Sequence, residues 1–504
     1  MHKKLPLFFL WLVLAPCESF AYTLFENEQY AFSLGLYART EVVSFKNVVD
    51  LDSRNKDDST VYAGIDYSLG FTYEAKDSAR KVYLKLERNG PYDYGAPLFV
   101  HNTLMTGAGV IEKYRFEQLL PQVEEFWFDQ RFGNKFGVKA GLYCYEIGNG
   151  FSLNGGYENY GVTFYRASDS FSWRLYYCRP DLVYREHLGP RIRQEEEQGI
   201  KYEPNAANFF ATDARWGNDL NFIQPYVGIL ADYTSFEKRD NAFTVPVKRD
   251  ILGTLGVAWN IARGDFTLKS EFARNFGGAE SADAAYKDVA HTGFLAYTEV
   301  KYSRGNFKPA AQILACSGNK VTPELAANQE VALLSGKNRA FSYYSPFNKN
   351  LGDSISSANS DARPIVAMGT GYGLNYGIPR PRTFSATDFD NIIIPSLGFD
   401  YNFTPALCLG IYGYYLRSFE RGVGIYNGQG RYLSAELGYE TDVFLDYLVN
   451  EFVTVSFLGG YFFPGKYYKE LRDDTDASLF RSCVRGDGKA DGAYQIELSM
   501  EIKF

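Results

Sequence analysis

The last twelve residues of the chain, which read AYQIELSMEIKF, constrain its fold more than any other stretch. From Tyr494 to Phe504, apolar side chains occupy every second position and polar or charged side chains occupy the positions between them. Because successive side chains of a β-strand point to opposite faces, this alternation predicts a strand with one apolar and one polar face. A soluble sheet could contain such a strand, so the decision depends on whether the pattern recurs.

The pattern recurs at a length of about ten residues, which is the span of a tilted transmembrane strand. We identify about eighteen candidate strands, from Tyr30–Phe45 to Tyr494–Phe504, on the basis of such alternation of apolar and polar residues. Tight turns mostly follow the even-numbered strands, and long polar loops mostly follow the odd-numbered ones. This alternation is typical of barrels with short periplasmic turns and long external loops. The sequence therefore predicts an all-β fold, a transmembrane antiparallel up-and-down β-barrel of about 18 strands, whose last strand pairs with its first. The terminal Phe504 resembles the C-terminal aromatic residue of bacterial outer-membrane barrels.

Three connections stand apart from the general alternation. Residues Thr441–Glu451, after a predicted strand at Arg431–Glu440, would form an unusually long turn. Residues Ile147–Glu158 would form an unusually short external loop. The longest interruption, Cys316–Asp388, is by its length a candidate for folding into the lumen, and a mobile external loop is an equally good interpretation.

The N-terminus has the features of a secretory signal peptide. Lys3 and Lys4 precede an apolar run over Leu5–Pro16, and Ser19 and Ala21 place small residues at the −3 and −1 positions of a cleavage site. We therefore expect a signal peptide at 1–21, a β-barrel over 22–504, and a location in the bacterial outer membrane.

Composition narrows the classes of function. The formal net charge is −8, so no basic excess indicates nucleic acid as a partner. The 40 Tyr and 40 Phe residues are a heavy aromatic load, which suits the aromatic girdles of a membrane barrel in contact with outer-membrane lipid.

Catalytic motifs are weak. Gly148, Asn149 and Gly150 lack the third glycine of a dinucleotide-binding loop, and we interpret them as loop. His101, His187 and His291 lie far apart in the sequence. We expect neither a cofactor nor a metal site, and we do not expect an enzyme.

The two-residue period assigns side chains to the lumen. The assigned residues are Tyr37, Arg39, Glu41, Tyr62, Asp66, Ser68, Tyr83, Lys85, Glu87, Trp127, Asp129, Arg131, Lys139, Tyr143, Arg174, Tyr176, Lys269, Glu271, Glu299 and Lys301, with Glu497, Glu501 and Lys503 on the last strand. Charges of both signs and tyrosines would line this lumen, which suits a water-filled pore for polar solutes. The plainer interpretation is that these charges pair with one another along the wall.

Two segments carry a family resemblance. EEFWFDQRF at Glu124–Phe132 and the glycine-rich run at Phe136–Tyr165 resemble the core of the alginate export porins. ILACSGNK at Ile313–Lys320 and AFSYYSPFN at Ala340–Asn348 resemble that family's strand end and aromatic loop. The resemblance implies an eighteen-stranded channel that passes an anionic polysaccharide through an arginine- and lysine-rich constriction, with periplasmic export partners.

The resemblance places Arg131 and Lys139 in the matching segment. Together with periodicity, it gives a predicted solute-binding set of Arg39, Lys85, Arg131, Lys139, Arg174, Trp127 and Tyr143. Comparable numbers of acidic lumen residues depart from the family's pattern. The leading hypothesis is an outer-membrane porin for diffusion or export of polar saccharides, anionic ones included. The alternative is a structural or adhesive barrel that acts through its long external loops.

Overall fold

The computed structural model describes a chain made almost entirely of antiparallel strands. The described residues are 22–47, 51, 53, 60–75, 77, 79–88, 121–133, 135–179, 207–218, 220–233, 247–281, 284, 287–320, 322–323, 336–341, 391–426, 429–470 and 489–503. The predicted signal peptide lies outside them, as do most of Cys316–Asp388 and the side chains of Tyr62 and Asp66. None of the helices in these ranges is long and apolar enough to cross a membrane.

The described elements are twenty-three strands and one short helix. In chain order they are β1 (Tyr22–Glu26), β2 (Tyr30–Lys46), β3 (Thr60–Ala75), β4 (Arg80–Arg88), β5 (Gln122–Phe132), β6 (Phe136–Ile147), β7 (Leu153–Ser168), β8 (Phe171–Cys178), β9 (Ala207–Gly217), β10 (Phe222–Asp232), β11 (Val247–Arg263), β12 (Phe266–Ser281), β13 (Val289–His291), β14 (Phe294–Tyr302), β15 (Phe307–Cys316), β16 (Lys337–Asn338), β17 (Ile392–Thr404), β18 (Leu407–Arg417), β19 (Val423–Tyr426), β20 (Gln429–Tyr432), β21 (Glu436–Leu448), β22 (Val453–Pro464), α1 (Lys466–Glu470) and β23 (Ala493–Lys503).

Eighteen of these strands form a closed barrel. Strands β2 to β12 pair in sequence, and β14, β15, β17, β18, β21, β22 and β23 continue the wall. The seam closes where β2 pairs with β23, from Tyr37 opposite Lys503 to Lys46 opposite Tyr494. Both the eighteen-stranded antiparallel barrel and the pairing of the first strand with the last are therefore confirmed.

The connections confirm the predicted alternation of turns and loops. Short turns at 133–135, 169–170, 218–221, 264–265 and 303–306 lie at one end of the barrel, and most of the connections at the other end are longer. The predicted loop Ile147–Glu158 is wrong in its bounds, because β7 begins at Leu153 and only residues 148–152 join it to β6. The predicted strand at Arg431–Glu440 is wrong in its bounds, because β21 runs over Glu436–Leu448 and its following turn is short. The irregular long turn therefore does not exist.

The wall has two chemically different faces. Large apolar side chains stand exposed on the outside, among them Phe126, Phe128, Leu255, Leu397 and Leu498. The alternate residues point inward and are often polar, and a smaller set of buried charges lies among them, including Glu41, Glu271 and Glu497. This is the arrangement that a barrel in lipid needs, since its outer face meets hydrocarbon and its inner face can meet water.

Candidate functional site: a tongue folded into the lumen

The hairpin of β6 and β7 leaves the barrel wall. Pairing between β5 and β6 ends where Phe126 lies opposite Leu142, and pairing between β7 and β8 begins where Gly161 lies opposite Cys178. Between these points the two strands pair only with each other in the described part of the sheet, up to Ile147 opposite Leu153. We call residues 143–159 the tongue.

Local features explain why the strands part from the wall here. Gly141 has a φ of 134°, and a Cβ atom on it would lie 2.2 Å from the backbone oxygen of Phe126. A register shift follows at once, between Tyr143 and Tyr145. Such a bulge bends a strand and increases its twist. The glycine and the bulge together turn the hairpin out of the wall.

One face of the tongue packs on the inner wall. Tyr145 stacks on Tyr176 of β8, with ring centroids 3.9 Å apart, and lies 5.5 Å from the ring of Phe209 of β9. Leu153 packs so closely over β10 that a Cβ atom on Gly228 would lie 2.8 Å from it. These residues belong to one buried apolar cluster, so the tongue lies along β8 to β11.

The tip of the tongue is held by the buried carboxylate of Glu271 on β12. The backbone N–H of Asn149 donates to Oε2 at 2.7 Å, and the N–H of Ser152 donates to Oε1 at 3.0 Å. The Tyr226 hydroxyl donates to Oε1 at 2.8 Å, and the Asn149 amide donates to the Ser270 carbonyl at 2.9 Å. Glu271 is only 1% exposed. Hydrogen bonds from the tongue and the wall therefore satisfy both oxygens of this buried carboxyl group.

The tip also joins a second apolar cluster at the loop end of the barrel. Phe151 stacks on Tyr297 of β14 with centroids 4.0 Å apart. The same cluster contains Phe341, and Tyr467 and Tyr468 of α1. Phe341 belongs to the segment 336–341, which lies in Cys316–Asp388, the interruption that is by its length a candidate for folding into the lumen. Parts of three external connections therefore meet inside this end of the barrel.

A cavity of about 280 Å³ opens beside the tongue. Its lining residues are Gly148, Ser172, Arg174, Arg215 and Gln224. The Nε of Arg174 lies 2.9 Å from Asp213, which also accepts a hydrogen bond from Gln224 at 2.7 Å. The cavity thus combines two guanidinium groups with neutral polar donors, and the Asp213 carboxylate behind Arg174 and Gln224 offsets part of the charge.

Three residues of the predicted solute-binding set come together at the root of the tongue. The Lys139 ammonium lies 4.0 Å from the ring centroid of Trp127 and 4.2 Å from that of Tyr143. The Tyr143 hydroxyl lies 2.7 Å from the Thr163 hydroxyl, and Trp127 donates its indole N–H to Glu125 at 3.0 Å. The lysine is therefore clamped between two aromatic faces, an arrangement that stabilises a cation.

The other predicted residues lie in different surroundings. Arg174 lines the cavity, whereas Arg131 is exposed near the end of β5 at the short turns. Lys85 pairs with Glu87 and with Glu124, the latter at 3.7 Å. Arg39 is buried and pairs with Glu497 across the seam and with Glu41 at 3.3 Å. Whether any member of the set binds solute stays a prediction.

Sequence reasoning did not single out the tongue, its contacts with Glu271, or the cavity residues Arg215 and Gln224. The available signals were the pair Gly148 and Gly150 in an unusually short loop and the glycine-rich run Phe136–Tyr165 that contains it. Both glycines have positive φ, 72° and 81°, which L side chains rarely adopt. Within the described ranges no group of three or more His, Cys, Asp and Glu residues could hold a metal ion.

Comparison with known proteins gives structural likeness only. No protein-family model matches the chain, and no curated protein matches it. OccK8 (OprE) of Pseudomonas aeruginosa is 9% identical, with 94% of this chain and 98% of that chain covered and a TM-score of 0.47. OccK5 (OpdH) of the same organism is 10% identical, with 94% and 98% covered and a TM-score of 0.47. The outer membrane protein OpdK of that organism is 10% identical, with 95% and 99% covered and a TM-score of 0.47. Because these identities and TM-scores are low, the fold rests on the strand pairings above.

Proposed function

We propose that this chain is an outer-membrane channel for polar saccharides, anionic ones included. The observation that carries the proposal is the closed wall with an exposed apolar outer face and a charged inner face. Placing Arg or Lys on a lipid-facing position near the bilayer midplane costs about 2–4 kcal/mol, so charges gather on the inner face when that face meets water.

The saccharide class is supported by the surroundings of the tongue. Trp127 and Tyr83 have ring centroids 5.4 Å apart and are both partly exposed on the inner wall. Aromatic faces can stack on sugar rings, while the guanidinium groups of Arg174 and Arg215 suit the carboxylate of an acidic sugar. The resemblance to alginate export porins covers β5 to β7, which carry Trp127, Lys139 and the tongue. Solute passage along this route would take place next to the tongue, which packs on the inner wall.

Swelling of proteoliposomes in iso-osmotic sugar tests the proposal. We expect swelling in both glucose and sodium glucuronate, and a slower rate in glucuronate alone for the double variant R174Q/R215Q. Lys248→Gln is the matched control, because it removes a cation that is 59% exposed at the rim. Vesicles that swell no faster than protein-free vesicles would contradict the channel and favour a structural or adhesive barrel. Equal slowing of glucose and glucuronate would remove the two arginines from anion handling.

A further inference from the structure

The tongue tip has the geometry of an anion-binding nest. Gly148 and Gly150 adopt positive φ values on either side of Asn149. The N–H groups of Asn149 and Ser152 point to one carboxylate at 2.7 and 3.0 Å, and that of Phe151 lies at 3.5 Å. Backbone N–H groups that converge in a turn form a concave site for an anion. In this protein the anion is the side chain of Glu271.

The residues around the nest leave little freedom for a different arrangement. A Cβ atom on Gly148 would lie 3.0 Å from Oε2 of Glu271 and 3.2 Å from Cβ of Ala258. The Ser152 hydroxyl lies 2.5 Å from that of Tyr226, which itself donates to Glu271. The hydrogen-bond donors described here are neutral, and the described residues form no ion pair with Glu271. The carboxylate is thus held by oriented dipoles, three of which belong to the tongue.

The loop held in this way is very short. Only residues 148–152 connect β6 to β7, and the backbone of three of them points to Glu271. The base of the tongue is fixed in the wall at Leu142 and Gly161, which pair with β5 and β8. The carboxylate of Glu271 on β12 therefore helps to hold the free end of a hairpin whose strands β7 and β6 lie five and six strands away along the wall. The Asn149–Ser270 hydrogen bond and the Phe151–Tyr297 stack hold the same tip.

We propose that Glu271 is the positioning residue of the channel, whose carboxylate fills the nest and thereby sets the width of the lumen. This inference rests on the proposed function, since it assigns a width to a conducting path. Loss of the carboxylate leaves the backbone N–H groups of Asn149 and Ser152 without their acceptor in a buried site. The tip then separates from β12, and the lumen widens and fluctuates.

Chemical rescue tests this role beyond a merely structural one. Glu271→Ala removes a CH₂–COO⁻ group, which has nearly the size and the charge of an acetate ion. Added acetate can therefore occupy the nest that this variant leaves empty. In single-channel recordings we expect Glu271→Ala to show a higher conductance with frequent substates in potassium chloride. Potassium acetate is expected to restore the single stable level. Wild type and Glu280→Ala, which removes a partly exposed rim carboxylate from the same strand, are the controls in both electrolytes.

Hydrogen exchange gives a readout that does not depend on conduction. The amides of Asn149 and Ser152 are expected to be protected in wild type, to lose protection in Glu271→Ala, and to regain it with acetate. If Glu271→Ala does not fold, Glu271→Gln is measured in its place. The NH₂ group of the glutamine cannot accept a hydrogen bond from the tongue, so one backbone contact is lost and the exchange of that amide hydrogen is faster. Unchanged exchange in the folded variant, or exchange and substates that acetate leaves unaltered, would overturn the proposal. A wild type that shows protected amides but no conductance would refute the channel function and leave the anchoring role of Glu271 standing.

Discussion

Removal of the Arg39 side chain is predicted to weaken the closure of the barrel. Arg39 lies on the first strand of the wall and pairs with Glu497 on the last, as well as with Glu41 on its own strand. The side chains of all three residues are at most 3% exposed. The guanidinium group is therefore a buried link across the seam, which is a different environment from that of a cation facing solute.

The magnitude follows from the burial of this group. Breaking a buried ion pair by removing one partner costs about 3–5 kcal/mol, because the remaining charge stays buried without compensation. Arg39→Ala leaves two such carboxylates, so we expect its free energy of unfolding to fall by about 3–5 kcal/mol. Changing Glu497 to Gln in the same chain removes one orphaned charge, so R39A/E497Q should be more stable than R39A.

Urea unfolding in detergent micelles, followed by tryptophan fluorescence and by the electrophoretic mobility of the folded barrel, measures the change. Arg263→Ala is the matched control, because Arg263 is exposed at the end of β11 and is expected to have little effect. A loss below about 1 kcal/mol for Arg39→Ala, or a double variant less stable than R39A, would refute the assigned role of this buried group.

Three further changes probe the tongue and its root. Gly148→Val places a Cβ atom near the Glu271 carboxylate at a position whose φ is 72°. The left-handed backbone conformation alone should lower the free energy of unfolding in urea by about 1–2 kcal/mol. An unchanged urea midpoint would show that the loop adapts to the side chain. Phe151→Ala removes a buried ring from the stack at the tip and should lower the free energy of unfolding by about 3–5 kcal/mol. A loss below about 1 kcal/mol would mean that the ring is not packed against Tyr297 in the folded protein. Lys139→Glu should shift the reversal potential in a salt gradient toward cation selectivity, and an unchanged potential would remove Lys139 from the conducting path.

The wall was predictable from sequence because its signal is local. Each strand carries its own two-residue alternation, and lipid on one side keeps the outer face consistently apolar. The bounds of β21 were missed for a related reason. The predicted strand ends at Glu440 and the predicted turn begins at Thr441, although Asp442 is buried on the inner face of β21. A charged lumen makes part of a strand resemble a loop.

The tongue could not be predicted in the same way. Its contacts join residues about 120 positions apart, such as Asn149 and Glu271, and no periodic pattern encodes which loop reaches which strand. By its length Cys316–Asp388 is a candidate for folding inward, and its described part brings Phe341 into the inner cluster. Length gives no such indication for the tongue, whose two strands are joined by only five residues. Alternation correctly placed Lys139, Trp127 and Tyr143 on the inner face. It could not show that the lysine is clamped between the two rings.

The most direct test of the channel is the current through a planar bilayer that contains the purified protein. Because a closed wall encloses charged and polar side chains, the protein is expected to insert and to produce discrete, stepwise increases in conductance. Protein that is folded by electrophoretic mobility and inserts into the bilayer, but never produces a conductance step, would contradict a water-filled path through the barrel.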